Sequence, residues 1–327
     1  SITVVDQHTF QRFVTWNLLF ESLGFGCGSG PLSAHFMPPF TAFIHWFTPG
    51  TLKLPWRVNQ RDGRRSPFGV GNVRTLFDVA LVAVHYALLA RALTMPQAAS
   101  AYACAPFAAT LLVMGARDHT FFLASRSEHY LSMTLCTIVA GHQVPQLMTG
   151  WRCIQGGIWL WAAVSKLGPW FTPVIQVMTA NHPLLALLPN PLQNGLRSLL
   201  YRNWRPTTPT STTTTATTAT NVGTSMEHRA DFRPSAIVTV ISIFGTISEF
   251  MFPILCLCGG RCARAGLFVA MGFHVFILSN VAMGVPQEWN VANMLHAIYL
   301  FGPTTSTTNV GTTVGTTSPA VVSMVSK

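Results

Sequence analysis

The run AIVTVISIFGTISEFMFPILCL, residues 236–257, carries a single charged residue, Glu249. A helix of about 20 apolar residues crosses a bilayer, and a run this long and this free of charge has few other places to go. The pattern recurs at Leu76–Leu93, Ala101–Ala116 and Ala265–Met283. Phe10–Phe25, His129–Val144 and Trp151–Leu167 extend it, and Val291–Phe301 is a short last member. Lipid leaves backbone polar groups no water, so spans of this kind close their hydrogen bonds internally. The fold expected is all-α, a polytopic transmembrane helix bundle of about 7–8 spans. MPPFTAFIHWFTPG (Met37–Gly50) has prolines at both ends and is too short to cross, which predicts a re-entrant or interfacial segment.

Composition points the same way. Of 327 residues 49% are hydrophobic and 9% charged, where a soluble domain carries about 25% charged residues to solvate its surface. The net charge of +10 raises the question of a nucleic-acid partner. The basic residues instead sit between apolar runs, as in Lys53, Arg57, Arg61, Arg64, Arg65 and Arg74 against Asp62, and no RNA-binding or zinc-finger motif occurs. No nucleic-acid partner is expected. If the runs from 76 to 167 all cross, the basic loops at 53–74 and 197–233 share one side, the positive, non-translocated one. Arg261 and Arg264 fall on the opposite side.

The seven cysteines (Cys27, Cys104, Cys136, Cys153, Cys256, Cys258 and Cys262) lie mostly inside apolar runs, where Cys behaves as a small hydrophobe. Their odd number does not suit a disulfide framework. The chain starts at Ser1 without Met, which fits a removed leader or further sequence upstream. The tight, uncharged PQLMTG is read as a turn, Arg117–Glu128 as a loop of mixed charge, and about Pro169 to Pro234 as a polar connection. TTPTSTTTTATTATNVGTS (207–225) and TTSTTNVGTTVGTTS (304–318) lack apolar periodicity and read as solvated linker and tail.

FESLGFGCGSGPL, FTPGTLKLPW, FLASRSEHY, WLWAAVSKL, LYRNW and MGVPQEWNV, in this order, resemble a bacterial transmembrane family known only as a domain of unknown function. The resemblance covers most of residues 10–302 and implies a multi-helix membrane fold built as one domain. In that family a Tyr-Arg-x-Trp-Pro stretch passes almost directly to Arg-Pro-Ser. Here YRNWRP (201–206) and FRPS (232–235) are separated by the threonine tract. The division implied is a first transmembrane part, 1–206, a threonine-rich loop insertion, 207–230, a second transmembrane part, 231–302, and a threonine-rich tail, 303–327. The family's bacterial members also extend further at both ends. It has no assigned catalytic residues to carry over.

GCGSGP (Gly26–Pro31) has the glycines of a phosphate loop but follows a membrane run, precedes a proline and lacks a Walker lysine. Helix termination and close helix packing explain it better. Glu21 and Glu249 are carboxylates inside apolar runs, each followed by a helix breaker. Burying such a group costs about 2.5–3.5 kcal/mol on insertion scales, so it faces a partner or a cavity. Lys166, Arg152 and His274 are the candidate partners. His85, His142, His274 and His296 lie in or near spans, where an imidazole is either a hydrogen-bonded packing group or an axial ligand to a chlorin pigment. No HExxH or Cys/His quartet appears, and no metal site is expected. CLCGGRC reads as membrane-boundary cysteines rather than a zinc site. The tryptophans, among them Trp159, Trp161 and Trp289, fit interfacial belts and contacts with lipid tails.

Two functions follow. The first is an accessory subunit that packs lipids, pigments or neighbouring chains inside a larger membrane complex, in a thylakoid, mitochondrial inner or bacterial plasma membrane. Its partners would be other subunits and lipids. The second is a membrane-embedded enzyme or transport pathway that uses Glu21, Glu249, Lys166 and His274 as an acid–base site on a lipid-like substrate. The first is the expectation from sequence. The second requires the four side chains to meet in one pocket.

Overall fold

The computed structural model describes residues 6–24, 40–54, 71–141, 143–204, 231–280 and 287–302. The first part holds α1 (Gln7–Ser22), α2 (Phe40–Phe47), α3 (Leu76–Thr94), α4 (Ala101–Arg117), α5 (His119–Ala124), α6 (Ser127–Ala140) and α7 (Val144–Val164). Then come α8 (Phe171–Ala180), α9 (Pro183–Ala186), α10 (Asn190–Leu200) and an antiparallel pair, β1 (Tyr201–Asn203) with β2 (Asp231–Pro234). The chain continues in α11 (Ala236–Cys258), α12 (Gly260–Ser279) and α13 (Gln287–Phe301).

Several helices start at residues whose side chains satisfy the first free amides. Asp6 accepts from the Thr9 amide ahead of α1, and that bond holds its carboxyl below the usual carboxylate range. Thr75 and Asp78 form a reciprocal capping box on α3, and Ser100 and Ser235 cap α4 and α11. Pro106 and Pro253 sit inside α4 and α11, as neighbouring helices in a membrane bundle allow.

The helices form two groups joined through α7. In one, α1 packs on α3 and α6, and α4 packs on both α3 and α6; in the other, α7 packs on α11 and α13, and α12 on both of these. Gly259 (φ +75) and Gly260 (φ +57) make the sharp α11–α12 turn in a backbone region that favours glycine. Further along, a Cβ on Gly266 would lie 2.8 Å from both the Cys256 nitrogen and the Phe252 oxygen. The absent side chain therefore lets two backbones touch, the use that membrane helices make of small residues.

Among the described residues three helices, α3, α11 and α12, are long and apolar enough to cross a membrane, and α4 is a shorter apolar helix. The outward faces are apolar: Phe244, Phe268 and Val139 are 70%, 81% and 88% exposed. The expected runs in α1, α6 and α7 are helical, but they bury polar groups such as Gln11, Glu21, His129 and Gln155, which lowers their hydropathy.

The structure corrects four readings of the sequence. PQLMTG is not a turn: it lies inside α7, because Pro145 occupies the first turn, where it removes no intrahelical bond. The break comes earlier, at Gly141 (φ +57). The stretch read as a polar connection folds its described part into α8, α9, α10 and the β1–β2 pair. The mixed-charge loop contains α5. Finally, Lys53 and Arg74, read as charges of a basic loop answered by Asp62, are buried in ion pairs with other carboxylates. Lys53 Nζ lies 2.6 Å from Asp78, Arg74 Nη2 lies 2.6 Å from Asp118, and both basic side chains are 1% exposed. Arg117 Nε takes the other Asp78 oxygen at 2.7 Å. GCGSGP, His142 and both threonine tracts fall outside the described residues.

Candidate functional site

Four helices, α1, α6, α7 and α13, enclose a polar centre. Asn290, Asn293 and His296 recur every third residue and so share one face of α13, and all are buried. Asn17 and Glu21, four apart, share a face of α1 that also carries Phe13, whose ring meets His296 at 5.4 Å. From α6 come His129 and Tyr130, stacked at 4.9 Å, and His129 meets His296 edge-on at 5.2 Å. Gln155 enters from α7 and is fully buried.

Hydrogen bonding sets the chemistry of the two imidazoles. Asn293 Nδ2 donates to the Trp289 carbonyl at 2.7 Å, which leaves its Oδ1 as an acceptor. Gln155 Nε2 donates to that oxygen at 2.7 Å, so Gln155 Oε1 is the acceptor of its own amide. This one oxygen lies 3.1 Å from His129 Nε2 and 3.1 Å from His296 Nδ1, and both imidazoles must donate to it. The remaining nitrogens, His129 Nδ1 and His296 Nε2, therefore keep their lone pairs. Both are buried without a hydrogen-bond partner among the described residues. A backbone carbonyl thus fixes, through two amides, the tautomer of two histidines, a fixing more often seen around metal-ligating and catalytic imidazoles.

Other polar atoms here are left open in the same way. Both carboxylate oxygens of Glu21, the Tyr130 hydroxyl, Asn17 Nδ2, Trp289 Nε1 and Glu288 Oε1 are buried with no partner among the described residues. Native interiors pair nearly all such groups, so a concentration of unpaired ones calls for an explanation, often a water, ion or ligand. Arg126 lies within electrostatic reach of Glu21, Glu128, Glu288 and Tyr130, and its guanidinium stands 5.3 Å over the Trp289 ring. Its backbone is left-handed (φ 50), a strained conformation for a side chain other than glycine and one that clusters at functional sites.

The four residues expected to converge divide between two places. Lys166 Nζ pairs with Glu249 Oε1 at 2.5 Å, and Glu249 Oε2 is buried without a partner among the described residues. His274 stands between the two places: Lys166 is within electrostatic reach of its ring, and its Nδ1 meets Oδ1 of Asn290, on the α13 face of the polar centre, at 2.8 Å. Glu21 belongs instead to the polar centre. Of the partners expected for the two carboxylates, Lys166 goes to Glu249, and Arg152 Nε donates to the Leu300 carbonyl at 2.7 Å. His85 donates from Nδ1 to Thr110 Oγ1 at 2.8 Å, since that hydroxyl gives its own proton to the Phe107 carbonyl. Among the described residues no group of three or more His, Cys, Asp or Glu could hold a metal ion.

Sequence reasoning missed His129, Tyr130, Gln155, Arg126 and Asn293. The repeat Asn290, Asn293, His296 was a usable signal, since three polar residues at that spacing in an apolar helix must line one face. Gln155 gives no comparable sign.

A family model described as a transmembrane protein of unknown function (DUF3556) matches residues 5–229 and 224–326, and the chain belongs to that family. No curated protein and no solved structure matches it.

Proposed function

We propose that this member of the transmembrane family is a membrane-embedded enzyme that performs acid–base chemistry on a lipid-like substrate at the centre between α1, α6, α7 and α13. The observation that carries the reading is the pair of imidazoles held by Gln155, each with one basic nitrogen open, beside a Glu21 with both oxygens open. His129 Nδ1 or His296 Nε2 takes a proton from the substrate as general base, and Glu21 or Tyr130 supplies the proton that completes the turnover. Arg126 holds negative charge that develops between them. The polar centre moves the balance from the accessory subunit expected from sequence to the intramembrane site, with His129 and His296 replacing Lys166, Glu249 and His274 as its working groups.

In this reading α1, α6 and α7 cross the membrane as inner helices shielded by α3, α11 and α12. With α4 and α13 these six helices make the 7–8 spans expected from the sequence. The threonine tract at 207–230 is an insertion between β1 and β2 in the sequence.

The test is comparative lipid analysis of membranes carrying the wild-type chain, Glu21→Gln or His296→Asn, with each purified variant checked by thermal unfolding. A lipid species that changes with the wild type and with neither variant supports the reading. If the variants act as the wild type does, or if the protein is inert and co-purifies stoichiometrically with other subunits, the accessory role replaces it.

A further inference from the structure

A groove of about 580 Å³, open on its outer side, lies between α8, α11 and α12, away from the polar centre. Its volume falls in the range of small-molecule sites, about 300–1,000 Å³. Its walls are side chains such as Ile175, Met178, Phe244 and Phe276, and polar groups enter at one end, Lys166 and Ser248. Ser248 adjoins Glu249, the partner of Lys166, so both donors belong to the same end. On α12 the lining runs from Val269 to Ile277, roughly 12 Å at 1.5 Å per residue, enough for the first half of a long acyl chain.

Two features bear on what the space can take. Gly245 on α11 and Gly272 on α12 both line it, and a Cβ built on either meets nothing within 4 Å. Neither glycine is needed for close helix packing, in contrast to Gly266. Larger side chains at these positions would project into the groove. The second feature is the disposition of Lys166. Its ammonium gives one hydrogen to Glu249 at 2.5 Å and one to the Ala162 carbonyl at 3.3 Å, which leaves a third. It also stands 5.7 Å and 6.0 Å from the ring centres of Phe171 and Phe273, two groove walls.

We infer that this groove binds a long-chain fatty acid, its chain between Gly245 and Gly272 and its carboxylate accepting hydrogen bonds from Lys166 and Ser248. An acceptor head group matches two donors, and a small singly charged one suits an ammonium already shared with a carboxylate. The site stands apart from the acid–base centre and requires neither Glu21 nor the histidines.

The experiment labels the full chain in nanodiscs with a palmitic acid that carries a diazirine and an alkyne, then locates the adducts by peptide mass spectrometry. Adducts are expected on α8, α11 and α12. Gly272→Leu and, on the other wall, Gly245→Leu should each cut labelling roughly tenfold, equivalent to about 1.4 kcal/mol of binding, at an unchanged melting temperature. Unlabelled palmitate should compete better than hexadecanol, and the double variant Lys166→Met/Glu249→Gln should erase that preference. Undiminished labelling in a folded glycine variant overturns the site. Equal competition by hexadecanol, or displacement by lysophosphatidylcholine as readily as by palmitate, overturns the fatty-acid assignment in favour of unselective lipid contact.

Discussion

Replacing Asp78 by Asn should destabilise the protein far more than an exposed charge change would. One Asp78 oxygen pairs with Lys53 and the other with Arg117, and the side chains of Lys53, Asp78 and Arg117 are 1%, 6% and 21% exposed. Taking the charge from Asp78 strands the Lys53 ammonium in the interior, and breaking a buried pair from one side costs about 3–5 kcal/mol. Arg117 can turn to the surface and adds only about 0–1 kcal/mol. The capping role adds little, because an asparagine oxygen can still accept from Thr75. A total loss of about 3–5 kcal/mol is expected, to be measured by equilibrium unfolding in detergent micelles. The double variant Lys53→Met/Asp78→Asn removes the stranded charge as well and should recover to within about 1–2 kcal/mol of the wild type, a coupling that a double-mutant cycle reads directly. A loss below about 1 kcal/mol for the single variant, or a double variant worse than the single, would refute the reasoning.

Gly266→Ala should cost about 1–3 kcal/mol in the same assay, since its Cβ would meet two backbone atoms at 2.8 Å; a neutral result would mean α11 and α12 part easily. Nitrogen NMR of labelled histidines should find His129 protonated on Nε2 and His296 on Nδ1, and Gln155→Leu should abolish that bias; the opposite tautomers would break the hydrogen-bond chain from Asn293. Phe244→Lys should impair insertion by about 2.5–3.5 kcal/mol if its exposed face meets lipid at mid-membrane, as a membrane-insertion assay can report, and by almost nothing if that face meets water.

How much the sequence disclosed depended on where a helix gets its stability. The α3, α4 and α11 runs were read almost to the residue, as 76–93, 101–116 and 236–257 against Leu76–Thr94, Ala101–Arg117 and Ala236–Cys258. Apolarity alone makes those helices, and a cap or a glycine ends them. The α8–α10 region was missed because its helices are short and interrupted by Pro183, Pro189 and Pro191, and they fold by packing on α11 and on each other. Of the candidate centre, Glu21 was visible as a charge in an apolar run and His296 as an imidazole in a span; Glu249, outside the centre, was visible for the same reason as Glu21, with Lys166 one of three candidate partners. Gln155 was not. A lone glutamine carries no periodic signal, and its place between two histidines arises only when α6, α7 and α13 pack together.

The most direct measurement is a high-resolution electron cryomicroscopy map of the full chain in lipid nanodiscs, read at the centre between α1, α6, α7 and α13. The expected map contains density belonging to no protein atom, within hydrogen-bond distance of a Glu21 oxygen, the Tyr130 hydroxyl and His296 Nε2 or His129 Nδ1. A map in which residues 25–39 or other side chains occupy all of these atoms would make the centre a packing device and contradict an acid–base site.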